Sequence, residues 1–248
     1  MKQIGVIGIA LLACCGCRDA NEASCWMRPG NPVTVTQTWS DKELQVLTLH
    51  DHVDVTWRWD SLSDVSVTWS GPEHLLAYAS AEWEGDQLVI GHSDRCEWAR
   101  RLDVVVHAEI VSDTWNVLEM RGQGEFFMDS VWRGESLSVE AFASSSQLNL
   151  YVEADSVTVK LHAGPASAKL QGHADVLQAY SSGLGALDAS QCQTRYAFVN
   201  QSGVIPLEFA ATAYAYVAIN SPGNVILHGG YPTEVTLEMT STGTLLEE

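Results

Sequence analysis

Two histidines and an aspartate alternate in the run His50-Asp51-His52-Val53-Asp54. On an extended strand, residues two apart share a face, so His50, His52 and Asp54 would present two imidazoles and a carboxylate together. That is the donor set of a facial metal site. No further His or Cys spacing supports it. A solvated strand face opposite Asp51, Val53 and Val55 accounts for the same pattern, and no cofactor is expected. Just downstream, Trp57 and Trp59 stand one strand step apart on one face. All nine tryptophans fall between Trp26 and Trp132. Aromatic platforms stack on sugar rings, which makes Trp57 and Trp59 the candidate ligand surface. The competing reading is a cap and core built from large residues.

Hydrolytic chemistry has less to draw on. Polysaccharide-cleaving enzymes flank the scissile bond with paired carboxylates. Here Glu140, Asp155, Asp175 and Asp188 are scattered, several near segment ends where turns favour acidic residues. No G-x-S-x-G, phosphate loop or paired-cysteine metal motif occurs. No catalytic residue is expected.

The formal net charge is −18 and the pI about 4.6. Such a surface repels phosphate backbones and anionic lipid heads, so nucleic acid is not an expected partner. The first residues carry Lys2 and an apolar run from Ile4 to Ala13. This run is shorter than the roughly 20 residues that span a bilayer, and it suits a signal peptide. It ends in Leu11-Leu12-Ala13-Cys14, which resembles a bacterial lipobox. The reading is a signal peptide over 1–13, lipidation at Cys14 and a tether over 14–32, anchoring the protein to a membrane through acyl chains. Modification at Cys17 and an ordinary signal peptide with incidental cysteines are the alternatives. Cys15 follows the lipidated residue where an Asp would retain the protein at the inner membrane. The expected location is therefore the outer membrane or cell surface of a Gram-negative bacterium. Export permits disulfides; Cys25–Cys96 is the favoured pair, with two buried free thiols as the alternative. Cys192 has no assigned role.

The elements that must position these residues are strands. Residues 33–115 alternate in VTVTQTW, VDVTWRW and DVSVTWS, while EHLLAYASAEWEG suits a helical turn or a strand. From Asn116 a short pattern recurs: NVLEM (Asn116), SLSVE (Ser136), SVTVK (Ser156), VLQAY (Val176), YAFVN (Tyr196), YAYVA (Tyr214) and PTEVT (Pro232). Small-residue corners follow most of them. A period of about 20 residues without helix-period segments predicts an all-β fold, a parallel β-helix with coils of that length, over 33–248. An antiparallel sandwich or barrel is the competing architecture. Leu137, Val139, Val157, Val159, Ala197, Val199, Ala215 and Val217 are the expected inward residues. Residues 33–100 are expected to close one end.

Several segments in this order resemble one family. They are Cys25-Trp26 with Gly30 and Val33, Val53 to Trp57, Gly85 to Ile90, Cys96 to Arg100, and Gly223 to Pro232. Over Pro32 to Glu248 the chain resembles the head GIN domain family of auto-transporter adhesins, bacterial lipoproteins. The resemblance implies a right-handed parallel β-helix at the cell surface and no catalytic residues. The functional expectation is a surface-anchored, non-catalytic, adhesin-like binding module whose partner is an extracellular glycan or an envelope protein. A structural component of an envelope assembly and a polysaccharide-active enzyme are the alternatives.

Overall fold

The computed structural model describes residues 31–61, 64–93, 105–113 and 115–248. Cys14, Cys25 and Cys96, with the expected signal peptide and most of the expected tether, lie outside the described residues. The first described strands are β1 (Pro32–Trp39), β2 (Val46–Leu49), β3 (Val53–Trp59) and β4 (Val65–Pro72). A single helical turn, α1 (Glu73–Leu76), and β5 (Ala79–Glu84) divide the ambiguous EHLLAYASAEWEG segment between them. Then come β6 (Gln87–His92), β7 (Val106–Ser112), β8 (Val117–Met120) and β9 (Glu125–Met128). Longer strands follow: β10 (Trp132–Phe142), β11 (Gln147–His162), β12 (Ser167–Gly183) and β13 (Ala186–Gly203). The last are β14 (Leu207–Ala210), β15 (Tyr214–Ile219), β16 (Val225–His228), β17 (Glu234–Met239) and β18 (Leu245–Glu247).

From β8 onward the chain winds in sequence order as a β-solenoid of about seven turns. One face stacks β8, β10, β11, β12, β13, β15 and β17 in parallel register. The other stacks β9, β11, β12, β13, β14, β16 and β18, also in parallel. Parallel pairing throughout these turns excludes the sandwich and barrel. All eight expected inward residues are buried at 0–1% exposure. They form columns such as Val139–Val159–Ala179–Val199–Val217. Each fully buried Val or Leu side chain contributes about 1.5–3 kcal/mol relative to exposure.

The register corrects the repeat at its two ends. Val117 pairs with Ser138, so the first repeat starts one residue earlier than the NVLEM alignment places it. A slip of one inverts a strand's faces; in the observed register Leu118 and Met120 are buried and Glu119 points out. At the other end Tyr214 pairs with Glu234, two residues beyond Pro232, because the loop before β17 absorbs the difference.

The N-terminal part departs from sequence order. β2 lies between β6 and β8, and β3 between β7 and β9. The β2–β3 coil is thus sandwiched between a later coil, β6–β7, and the start of the ordered turns. β4 then adds antiparallel to β7, β1 to β4 and β5 to β6. The described strands within residues 33–100 therefore close one end, as expected, and also supply coil strands. Trp57, Trp115 and Trp132 fill the interior at this junction, all at 0% exposure. Trp57 and Trp115 meet edge to face at 5.6 Å, and Trp115 meets Phe126 at 6.0 Å. The Nε1–H of Trp57 donates to Ser112 Oγ (2.9 Å) and that of Trp132 to the Trp115 carbonyl (2.7 Å). Two polar atoms are thereby satisfied inside an apolar core.

Candidate binding surface

The residues singled out from the sequence separate in space. Asp51 sits at φ 59, in the left-handed region, at a corner between β2 and β3. A Cβ on Gly122 would fall 2.0 Å from the Asp51 carbonyl oxygen, so the neighbouring coil closes on this corner tightly enough to require glycine. The corner breaks the alternation on which the metal site depended. His50 follows the end of β2, His52 forms a bridge with Gln123, and the Asp54 carboxylate accepts the Glu125 N–H at 2.9 Å. The Asp51 carboxylate accepts the His92 N–H at 3.2 Å. Among the described residues no group of three or more His, Cys, Asp or Glu is placed to hold a metal ion. His50, His52 and Asp54 are corner and ladder residues.

The tryptophan pair is corrected as well. Trp57 is fully buried and Trp59 is 45% exposed with its Nε1–H on Asp113 Oδ1 at 3.1 Å. Both point to the same side of β3, but Trp57 lies over the core whereas Trp59 lies beyond it. Together they make no platform.

A different aromatic surface lies on the outer side of the parallel stack. Outward positions of β12, β13 and β15 carry Tyr180, Tyr196, Phe198, Tyr214 and Tyr216 on successive turns. Phe198 is 43% exposed and 6.0 Å from Tyr214 at an angle of 58°. The Arg195 guanidinium lies 5.1 Å above the Tyr196 ring. The Tyr216 hydroxyl donates to Glu238 at 2.8 Å, a bond that raises its pKa.

A ladder of flat groups continues this surface toward the cap. Arg121 lies 4.7 Å above Phe142, Phe142 stacks on His162 at 4.8 Å and 4°, and His162 meets Tyr180 at 5.5 Å. Beneath it, Glu140 takes hydrogen bonds from Lys160 (3.0 Å) and His162 (3.1 Å). Burial pushes the Glu140 carboxyl up, but the bonds and charges of Lys160 and His162 outweigh it and hold the group below its ordinary value. A shallow groove of about 420 Å³ runs between Lys160, His162, Gln178, Tyr180, Phe198 and Asn200. Its floor and walls are largely aromatic, with two amide side chains, the Lys160 ammonium and the His162 imidazole at the rim. Aromatic surface with a few convergent polar groups is the composition of a small-molecule site. A second groove, of about 250 Å³ on the other face, is more polar and holds Lys169, Asp188 and Glu208.

The aromatic face was present in the repeats YAFVN and YAYVA. With second and fourth positions inward, their first and third positions must be outward, and those are Tyr196, Phe198, Tyr214 and Tyr216. The concentration of tryptophan in the first half draws attention away from it.

The scattered carboxylates stay apart. Glu140 is held by Lys160 and His162; Asp188 accepts from Ser190; Asp175 lies 3.9 Å from His173; Asp155 is exposed on β11. Cys192 is buried, and burial pushes its thiol up to about 12, which leaves it an inert core residue.

Fold and surface together define a β-solenoid with an aromatic outer face. The family model "Putative auto-transporter adhesin, head GIN domain" matches residues 43–230, and the chain belongs to that family. Solved structures show the same fold. A protein from Bacteroides fragilis described as a putative adhesin superposes with a TM-score of 0.77 at 16% identity, covering 90% of this chain and 100% of that one. A putative adhesin from Parabacteroides distasonis gives 0.70 at 15%, covering 88% and 98%. A second P. distasonis protein, described as a putative lipid binding protein, gives 0.68 at 18%, covering 88% and 97%. No curated protein matches the chain.

Proposed function

We propose that this protein is a lipid-anchored, non-catalytic binding module of the cell surface, and that its ligand is a glycan held on the aromatic face of β12, β13 and β15. The observation that carries the reading is the run of outward rings on successive turns, bordering a groove with Gln178 and Asn200 at its rim. Rings offer faces to sugar C–H surfaces, and amides bridge hydroxyl pairs. The strong negative charge disfavours acidic glycans, so neutral sugars are the expected class. The lipobox at Cys14 supports anchoring. The family, named for adhesins, supports a role outside the cell.

One relative is described as lipid-binding. In this chain the interior columns are filled by side chains, so a lipid would have to lie on the outside of the solenoid.

The test is a glycan array probed with the full chain in detergent, followed by titration of any hit. Phe198→Ala is expected to weaken binding by about fivefold, the ~1 kcal/mol of one aromatic contact, while Trp59→Ala leaves it unchanged. Absence of binding across neutral glycans, or binding indifferent to Phe198, would overturn the glycan reading. Release of reducing sugar would replace it with an enzymatic one.

A further inference from the structure

The two ends of the solenoid are finished differently. At one end β4, β1 and β5 lie antiparallel on the outermost coil, so β6 and β7 have partners on both sides. At the other, β17 pairs with β15 and β18 with β16, and neither has a second neighbour among the described strands. Glu234 and Thr240 donate their N–H groups to the Ala213 and Ile219 carbonyls of the preceding turn. A parallel ladder uses alternate residues on each side. Val235, Leu237 and Met239 therefore turn their N–H and C=O groups to the free edge.

The side chains of the same three residues belong to the interior. The register sets them on Ala215, Val217 and Ile219, which are buried. With no further turn over them among the described residues, Leu237 is 41% exposed and Met239 54%. Unpaired backbone and uncovered core thus coincide, which is the condition for adding a strand. The rim is acidic. Glu234, Glu238, Glu247 and Glu248 lie on the last two strands or just after them, and from Tyr196 to Glu248 there is no Lys or Arg.

We infer that this end is a docking site for an extended protein segment that adds as the next strand, apolar on its inner side and carrying Lys or Arg on its outer side. Charge selects this occupant over a second copy of the chain. Two copies meeting end to end about a two-fold axis would bring Glu234 and Glu238 of each against those of the other, and like charges on adjacent strands repel. The site goes beyond the glycan reading, lies at the last turn rather than on the groove, and stands if that reading fails.

The probe is a short synthetic peptide alternating valine and lysine, titrated by fluorescence anisotropy against the full chain in detergent, with a valine–glutamate peptide as control. The lysine peptide is expected to bind and to weaken as salt screens the rim, and the control to fail. Met239→Lys is expected to weaken binding by at least about tenfold, equivalent to about 1.4 kcal/mol, with an unchanged melting curve. Glu234→Gln, which leaves the apolar end intact, should reduce only the salt-sensitive part, and Phe198→Ala should have no effect. Equal binding of both peptides, binding indifferent to Met239→Lys and Glu234→Gln, or no binding would overturn the inference. So would a dimer by light scattering at neutral pH that Met239→Lys dissolves, since the occupant would then be a second copy.

Discussion

At the scale of single residues, the groove rests on one carboxylate and the lysine and histidine that hold it. Glu140 lies under the ladder of Phe142, His162 and Tyr180, and its carboxyl is held below 4.5 by Lys160 and His162 against the opposing effect of burial. A carboxyl with a lowered folded-state pKa binds protons less readily folded than unfolded. Its stabilisation is therefore complete above the ordinary value of 4.5 and is lost as pH falls through the lowered value. Glu140→Gln is expected to destabilise the protein near neutral pH by about 1 kcal/mol or less, because Lys160 is partly solvated and screening weakens such pairs. The melting curves of variant and parent should converge below pH 4.5 and separate above it. Thermal midpoints measured across that range check the sign; parallel curves would show that Glu140 is not differentially protonated.

At the scale of elements, the long strands must bend around the coil without losing their ladders. β12 does so at Gly172, which has φ 112 and sits where a Cβ would fall 2.1 Å from the Val152 carbonyl oxygen of the preceding turn. Gly172→Ala therefore meets both an unfavourable backbone conformation and a clash with backbone that cannot move aside. It is expected to lower stability by about 1–3 kcal/mol, read as a lower thermal midpoint with β-sheet circular dichroism retained. The sequence shows this element scale clearly in its middle. Ser136, Ser156, Val176 and Tyr196 pair as their spacing requires, because inward Val and Leu columns enforce the phase. It shows the scale poorly where corners change length. The 20-residue spacing puts Val117 and Glu119 inward. Glu119 between Leu118 and Met120 already marks the other face as the buried one, so local alternation overrides the period here. The His50–Asp54 alternation, by contrast, conceals the corner at Asp51, because a left-handed aspartate leaves no mark on a strand pattern.

At the scale of the molecule, sequence order predicts a stack of neighbours, and for the ordered turns that is what the fold is. It does not reveal that β2 and β3 are inserted between coils formed from different parts of the chain, because stacking partners there are fixed by the closing of the cap. Each coil contacts only those above and below it, so stability is a sum of local interfaces and differs along the axis. The cap end is held by antiparallel strands and by the Trp57–Trp115–Phe126 cluster. β17 and β18 are held on one side only. Residue-resolved hydrogen exchange should therefore be graded: slowest in β11 to β13, still slow in β6 and β7, and fastest in β17 and β18. Within β17 the pattern should alternate. Val235, Leu237 and Met239, whose N–H groups face the free edge, should exchange at once, whereas Glu234, bonded to Ala213, should lag. The lysine peptide should slow the first set selectively, since the strand it adds would take up those donors. Uniform protection across all turns would mean that the solenoid opens only as a whole, and that the exposed end is as firmly held as the rest.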